Sequence, residues 1–399
     1  MEVSDEAGMK EVRIINLAKN VGATSMHWND LYGTMRRTHP GLAYPSLAVP
    51  LRIERLRTLS HYCSGVRRRY FQGGLLQAAL FLKRLSKRRA SSLIVHVHTP
   101  VLAVAIYLAR LTGGRFKVLT TQHNNWDTFR LHQKLFLWLL SYASDAYVVC
   151  NKQVADSLPA TMQKRLYGTD RLHSIPNSVP VDVMRYYAQR RFDRIISRQP
   201  KSQDARTLVV AKMSPQKNGI GLLRLIAAIP ELGHITWFGD GPMREQLRAE
   251  CEHLALCRRV AFAGIVSRER VYEALTECDF YITVSLWEGL SVADLEAVAI
   301  GCLPLMSDIP QRRYIAEKTG VLLLPGNNIE AWRSEVRRYV ALSYEERAQA
   351  GAVFSARACS AFSQEEMVKR YVGLYAKTAP LSPLSVTKPN HVGGKAGPL

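Results

Sequence analysis

Short apolar runs alternate along the chain with longer segments whose apolar residues recur at helical spacing. In the first half VRIINLA, LIVHVHT, KVLTTQH, DAYVVCN and RLHSIPN read as strands; in the second, TLVVAKM, ITWFGDG, RVAFAGI, CDFYITV and CLPLMSD do. Each run is strand-length and is followed by helix-compatible sequence, so the strands are parallel and covered on both faces. The pattern predicts an α/β chain of two doubly wound, Rossmann-like domains. The charged, strand-poor stretch RYYAQRRFDRIISRQPKSQDAR predicts the break, giving a first domain over 1–182, a linker over 183–206 and a second domain over 207–359. The tail 380–399 is rich in Pro, Gly, Ser and Lys and reads as disordered.

Composition agrees with two cores. At 399 residues, with 47% hydrophobic and 22% charged positions, the chain is globular and long enough to bury one in each half. Its cysteines (Cys63, Cys150, Cys251, Cys257, Cys278, Cys302, Cys359) are scattered and form no Cys-x-x-Cys pair, which argues against a disulfide framework or a zinc site. The polar start MEVSDEAGMK shows no secretory pattern, so a reducing, cytoplasmic setting is expected. The apolar stretch Leu93–Leu111 is broken by His96, His98, Pro100 and Arg110 and reads as a strand and a helix, not a membrane span.

The net charge of +21 is unevenly placed. No acidic residue occurs between Glu54 and Asp127, while Arg55, Arg57, Arg67, Arg68, Arg69, Lys83, Arg84, Lys87, Arg88 and Arg89 crowd the first half of that interval. Between these clusters lies YFQGGLLQAALFLKRL, helical in spacing and apolar over much of its circumference. Two readings stand beside each other: attraction to an anionic membrane surface, or a solvated basic face beside a helix that packs on a sheet. Nucleic acid is not expected, because no zinc-finger spacing, RNA-recognition signature or interleaved aromatic pattern accompanies the charge.

In doubly wound sheets ligands sit outside the carboxyl ends of the strands, so the residues after each strand are the informative ones. After the first strand, Gly22 admits a backbone approach to a ligand on the acceptor side or makes an ordinary tight turn. After KVLTTQ stands His123, a hydrogen-bonding group for a substrate hydroxyl or a structural histidine. VVAKMSPQKNG puts Lys212 and Lys217 beside a helix start, a setting for a diphosphate, although lysine pairs are more often solvated. In TWFGDGPMREQL, Gly239 and Gly241 flank Asp240 in strand, glycine, helix order, but the third glycine of a dinucleotide fingerprint is missing.

The stretch SLWEGLSVADLEAVAIG after CDFYITV carries more. Ser291 is placed to cap a helix, with Asp294 at the reciprocal capping-box position and Gly301 at its end. Glu288 and Gly289 then lie in the preceding loop, and Glu296 lies about one and a half turns inside the helix. Two carboxylates either side of loop amides and a helix dipole suit hydroxyls flanking a diphosphate, which is the chemistry of a nucleotide sugar.

EGLSVADLEAVAIGCLP resembles the E-x7-E signature of the family-4 glycosyltransferases, retaining enzymes of GT-B architecture. The likeness continues in order through HVHTP, VLTTQHNN, DAYVVCNKQVADSL, IPNSVPVD, VVAKMSPQKNG, WFGDGPMREQL, VAFAGIVSRERVYEAL, CDFYITVSLWEGL and FSQEEMVKRYVGLY, over residues 10 to 377. The resemblance implies a nucleoside-diphosphate sugar as co-substrate and no metal or cofactor. It implies that Glu288, with Gly289 and Leu290, contacts the donor sugar, that Glu296 binds the ribose, and that Lys212 and Lys217 neutralise the departing diphosphate. It also places Gly239 and Gly241 on the donor side and His123 by the sugar at the reaction centre, and sends 360–379 back across the first domain.

The chain departs from the family pattern in four places: Ala211-Lys212 where Gly-Arg is usual, Ser291 in place of proline, Ser178 in place of glycine, and a glycine-rich loop after the first strand reduced to Gly22. The expected activity is transfer of a hexose from a UDP- or GDP-sugar to a glycan or polyprenyl-linked acceptor in bacterial exopolysaccharide or lipopolysaccharide synthesis, at the inner face of the plasma membrane. The alternatives are a nucleotide-sugar-binding partner without activity, and a GT-B epimerase or phosphorylase.

Overall fold

The structure is a computed structural model that describes residues 12–18, 42–43, 46–48, 74–89, 93–197, 205–326 and 328–378, the first three segments as backbone. Gly22, the arginines from Arg55 to Arg69 and the tail 380–399 lie outside the described residues. Each of the ten predicted strands is present. The first sheet holds β1 (Val12–Ala18), β2 (Leu42–Ala43), β3 (Ser46–Ala48), β4 (Leu93–Val97), β5 (Lys117–Gln122), β6 (Ala146–Val149) and β7 (Leu172–Ser174). Its order is β2-β1-β4-β5-β6-β7, with β3 also on β1, and every pairing is parallel.

The second sheet holds β8 (Arg206–Val210), β9 (His234–Phe238), β10 (Val260–Gly264), β11 (Phe280–Thr283), β12 (Leu303–Ser307) and β13 (Leu323–Leu324), in the order β10-β9-β8-β11-β12-β13, again all parallel. The short β2, β3 and β13 were not expected from the pattern; at two or three residues they are shorter than one period of any apolar alternation.

The stretch read as a linker is largely a helix, Val181–Ser197. It packs on the second domain through Arg191, whose guanidinium donates to the carbonyls of Gly301 (3.0 Å), Leu275 (2.9 Å) and Cys278 (2.6 Å). The three carbonyls satisfy the buried guanidinium, so this charged, strand-poor stretch still packs as an element. The final helix, Gln364–Thr378, lies on the first sheet, where Met367, Val368, Tyr371, Leu374 and Tyr375 close a core with Ile94, Leu119, Ala146 and Val148.

The opposite face of that sheet is covered by helices Leu75–Arg89, Ala103–Leu111 and Leu131–Ala143, which share a core with Val95, Val97 and Val118. YFQGGLLQAALFLKRL thus contributes a helix from Leu75 onward that buries Ala78, Ala79 and Leu82 against the sheet. Among the described residues no helix is long and apolar enough to cross a membrane.

Candidate active site at the strand ends

β8 lies between β9 and β11, so the chain runs outward from β8 in one direction and from β11 in the other. Loops leaving two such strands diverge and open a crevice at their carboxyl ends. The loop after β8 carries Lys212 and Lys217, and the loop after β11 carries Glu288, Gly289 and Leu290. These loops meet. Lys217 Nζ lies 2.5 Å from Glu288 Oε1, while Gln216 Nε2 donates to Glu288 Oε2 at 3.2 Å and to the Trp287 carbonyl at 2.9 Å. Glu288 is 5% exposed and Lys217 is half-buried, whereas Lys212 is exposed at the same strand end. Lys217 ends a tight turn over Pro215–Lys217, and Asn218, at φ +51°, swings the chain into the helix Gly219–Ala228.

Glu296 sits within the helix Val292–Ala299. Its Oε1 accepts from Arg268 Nε (3.0 Å), Arg268 Nη2 (2.5 Å) and Tyr272 Oη (2.8 Å), all from the helix Arg268–Glu277. The helix of Glu296 begins and ends as expected in part. Ser291 Oγ accepts from the Asp294 amide at 3.3 Å, and Gly301, at φ +84°, completes a C-terminal cap in which Cys302 N donates to Ala297 O and Gly301 N to Val298 O.

The reciprocal half of the capping box is replaced. Asp294 gives its carboxylate to Tyr281 Oη (2.8 Å) and Arg312 Nε (2.8 Å). Arg312, 1% exposed, also reaches Thr283 Oγ1 (2.7 Å), Ser307 Oγ (2.6 Å) and Ser285 Oγ (3.2 Å), and lies 4.0 Å from Glu288 Oε1. Burial alone would raise the Asp294 carboxyl, but the guanidinium holds it below its usual range; the buried Arg312 is in turn kept protonated by Asp294 and Glu288. The first glutamate thus stands on a buried cation that fixes the ends of β11 and β12.

The glycines make close backbone approaches, chiefly to protein. A Cβ at Gly239 would fall 2.1 Å from Ala211 O, and one at Gly241 2.2 Å from Met213 O, so these two lock the loop after β9 to the loop bearing the lysines. A Cβ at Gly289 would fall 1.6 Å from the His123 carbonyl oxygen, across the crevice in the first domain. Two first-domain amides reinforce this contact: Asn151 Nδ2 donates to Gly289 O (3.3 Å) and Asn177 Nδ2 to Leu290 O (2.6 Å). Ser178, at the position of a usual glycine, is buried with its hydroxyl 3.0 Å from Met367 Sδ on the final helix.

His123 therefore enters from β5 to stand against the Glu288–Gly289 loop. Its Nε2 is 3.1 Å from His98 Nδ1, and the His98 ring lies 4.1 Å from that of His96. His96 is held by Tyr375 Oη (2.8 Å) and Thr121 Oγ1 (2.7 Å), which ties this histidine column to the last helix. Burial lowers His123 to about 4; it also lowers His98 and His96, each further depressed by a neighbouring histidine. All three imidazoles are neutral near pH 7.

Of the residues singled out in the sequence, His123, Lys217, Glu288, Gly289 and Leu290 converge, Glu296 lies on the adjoining helix, and Gly239 and Gly241 sit behind the lysine loop. Gln216, Arg268, Tyr272, Arg312, Asn151 and His98 were not anticipated. His98 was detectable, since it follows a strand end as His123 does. Arg312 was not, because its partners lie on separate elements and nothing local marks the residue as buried. Among the described residues no group of three His, Cys, Asp or Glu side chains is placed to hold a metal ion.

Residues 41–183 match the family model described as Glycosyltransferase Family 4, and residues 192–352 match that described as Glycosyl transferases group 1. EpsF of Bacillus subtilis, a glycosyltransferase by its name, is 28% identical over 225 residues, 54% of this chain and 57% of that one. The GDP-mannose:cellobiosyl-diphosphopolyprenol alpha-mannosyltransferase of Xanthomonas oryzae is 25% identical over 130 residues, 32% of this chain and 34% of its own. The chain thus spans between a third and somewhat over half the length of these relatives. Among solved structures, HepE of Anabaena in complex with UDP and glucose superposes with a TM-score of 0.71 at 14% identity, covering 92% of this chain and 100% of that one. Sucrose-phosphate synthase of Thermosynechococcus elongatus gives 0.68 at 14%, covering 92% and 99%. These likenesses show the fold.

Proposed function

We propose that this chain, which belongs to the family-4 glycosyltransferases of GT-B architecture, is a retaining hexosyltransferase using a UDP- or GDP-linked sugar. The acceptor is a glycan or a polyprenyl-linked oligosaccharide presented at the inner face of the plasma membrane, in exopolysaccharide or lipopolysaccharide synthesis. The observation that carries this reading is the meeting of Lys217, Glu288 and the His123 loop at the ends of β8, β11 and β5. Glu288 accepts hydrogen bonds from the donor sugar, and Glu296, oriented by Arg268 and Tyr272, accepts from the ribose. Lys212 and Lys217 stabilise the charge that builds on the leaving diphosphate, a preorganised electrostatic contribution of the kind that dominates such reactions. The bond from the anomeric carbon to the diphosphate oxygen breaks as the acceptor oxygen bonds on the same face, and a diphosphate oxygen takes the acceptor proton. His123, neutral at working pH, hydrogen-bonds the sugar without adding a charge.

Thermal-shift measurements against UDP-glucose, GDP-mannose and ADP-glucose identify the donor class by stabilisation. Transfer is then compared between the wild type and Glu288→Ala. The variant is expected to keep its far-UV circular dichroism and lose transfer; wild-type transfer in that variant overturns the assignment, and donor hydrolysis or epimerisation without transfer would favour the other GT-B chemistries.

A further inference from the structure

The helix Leu131–Ala143, LHQKLFLWLLSYA, carries one charged side chain and is apolar around most of its circumference, a composition expected of a buried helix. It is not buried. Leu131 (85% exposed), Leu135 (54%), Trp138 (38%) and Tyr142 (49%) follow one another at i, i+4, i+7 and i+11, forming a continuous apolar stripe that faces away from the sheet. Neighbouring helices on the same face extend it. Strand order runs β4-β5-β6-β7 without reversal, so right-handed crossovers put Ala103–Leu111, Leu131–Ala143 and Ala160–Gly168 on one side, beside Leu75–Arg89. These add exposed Leu76, Leu80, Leu111 and Tyr167.

The same four helices contain no Asp or Glu, while Lys83, Arg84, Lys87, Arg110, Lys134, Lys164 and Arg165 lie on them. The Arg165 guanidinium stacks 3.5 Å from the Tyr142 ring centroid, binding the stripe to its cationic border. Two acidic groups meet this border from neighbouring loops: Asp127, 4.0 Å from Lys134, and Asp145, 3.7 Å from Arg110.

We propose that this helical layer is the surface by which the enzyme docks on an anionic phospholipid bilayer, with Leu135 and Trp138 entering the headgroup region. The aromatic residues have polar tips suited to that interface, and the cations draw the layer toward negative lipid. Charge complementarity selects this occupant over a second copy of the chain, since an isologous contact would set one predominantly cationic layer against another. The inference deepens the reading of a membrane-borne acceptor and rests on it, but the docking surface is a different part of the first domain from the strand-end site. It also differs from the basic segment before residue 74.

Co-sedimentation of the full chain is measured with vesicles of phosphatidylcholine alone and of phosphatidylcholine with phosphatidylglycerol, without donor or acceptor. The wild type is expected to favour the anionic vesicles, and Leu135→Glu with Trp138→Glu to weaken that binding roughly a hundredfold. Lys134→Gln with Lys164→Gln lowers binding to the anionic vesicles alone. Donor-induced thermal shift is followed in each variant and is expected to match the wild type, so a failure of docking and a failure of the catalytic reading are read separately. Equal sedimentation of the wild type and the glutamate variant, or a wild-type dimer that the glutamates dissolve, overturns the inference.

Discussion

Gly289 stands directly against the backbone carbonyl of His123, so close that a methyl group at residue 289 would fall 1.6 Å from that oxygen. The contact joins the second domain's E-x7-E loop to the first domain's strand-end histidine. Gly289→Ala must either open the crevice or displace Glu288, and overpacking of this kind costs about 1–3 kcal/mol. The variant is expected to melt below the wild type and to lose transfer at least as severely as donor binding. Calorimetry and steady-state kinetics check this; unchanged behaviour in both would mean the two loops are not in contact in solution.

Arg312→Met tests the buried cation beneath the signature. It leaves Asp294 without its guanidinium and removes the bonds to Thr283, Ser285 and Ser307. Breaking a buried pair from one side costs about 3–5 kcal/mol. Urea denaturation should report a loss of that order, and Arg312→Lys should recover only part of it because an ammonium cannot reproduce the fork.

Acid sensitivity follows from the histidine column. An imidazole whose folded pKa lies below its unfolded value contributes stability that is fully present above about 6.5 and lost as pH falls toward the folded value, near 4 for His123. His98 and His96 are depressed in the same direction. The melting temperature should therefore decline between pH 6.5 and 4, and His98→Gln should make that decline shallower. An identical slope in the variant would remove the column from the acid response.

Arg268 orients Glu296 from a neighbouring helix without adjoining Glu288. Arg268→Ala is expected to raise the donor KM about tenfold, the weight of one charge-assisted hydrogen bond, with kcat little changed. A fall in kcat at unchanged KM would instead place Arg268 among the groups that act on the leaving diphosphate.

Much of this arrangement was readable in the sequence, because it rests on local rules. The ten main strands announced themselves by length and apolar content, and Ser291 and Gly301 fixed the helix of Glu296 through capping chemistry. What escaped depends on distant partners. Arg191 made its segment look like a linker because sequence shows a charge but not the three carbonyls that receive it. Asp294 filled a capping-box position yet bonds Tyr281 and Arg312, since a buried guanidinium outcompetes a neighbouring backbone amide for a carboxylate. The exposed stripe of Leu131–Ala143 is illegible for a similar reason: an apolar helix is indistinguishable from core until its outer face is seen to have no cover.

The final helix has a bearing on how the protein is made. Tyr371 and Tyr375 complete the core over Ile94, Leu119, Ala146 and Val148, so one face of the first sheet stays uncovered until the last described residues have been synthesised. At about 5–20 residues per second, the ribosome needs on the order of ten to forty seconds to travel from β7 to that helix. Throughout that interval the second domain can fold while the first waits with apolar strands exposed, which makes the nascent first sheet, and not the later-translated domain, the part of the chain most dependent on chaperones.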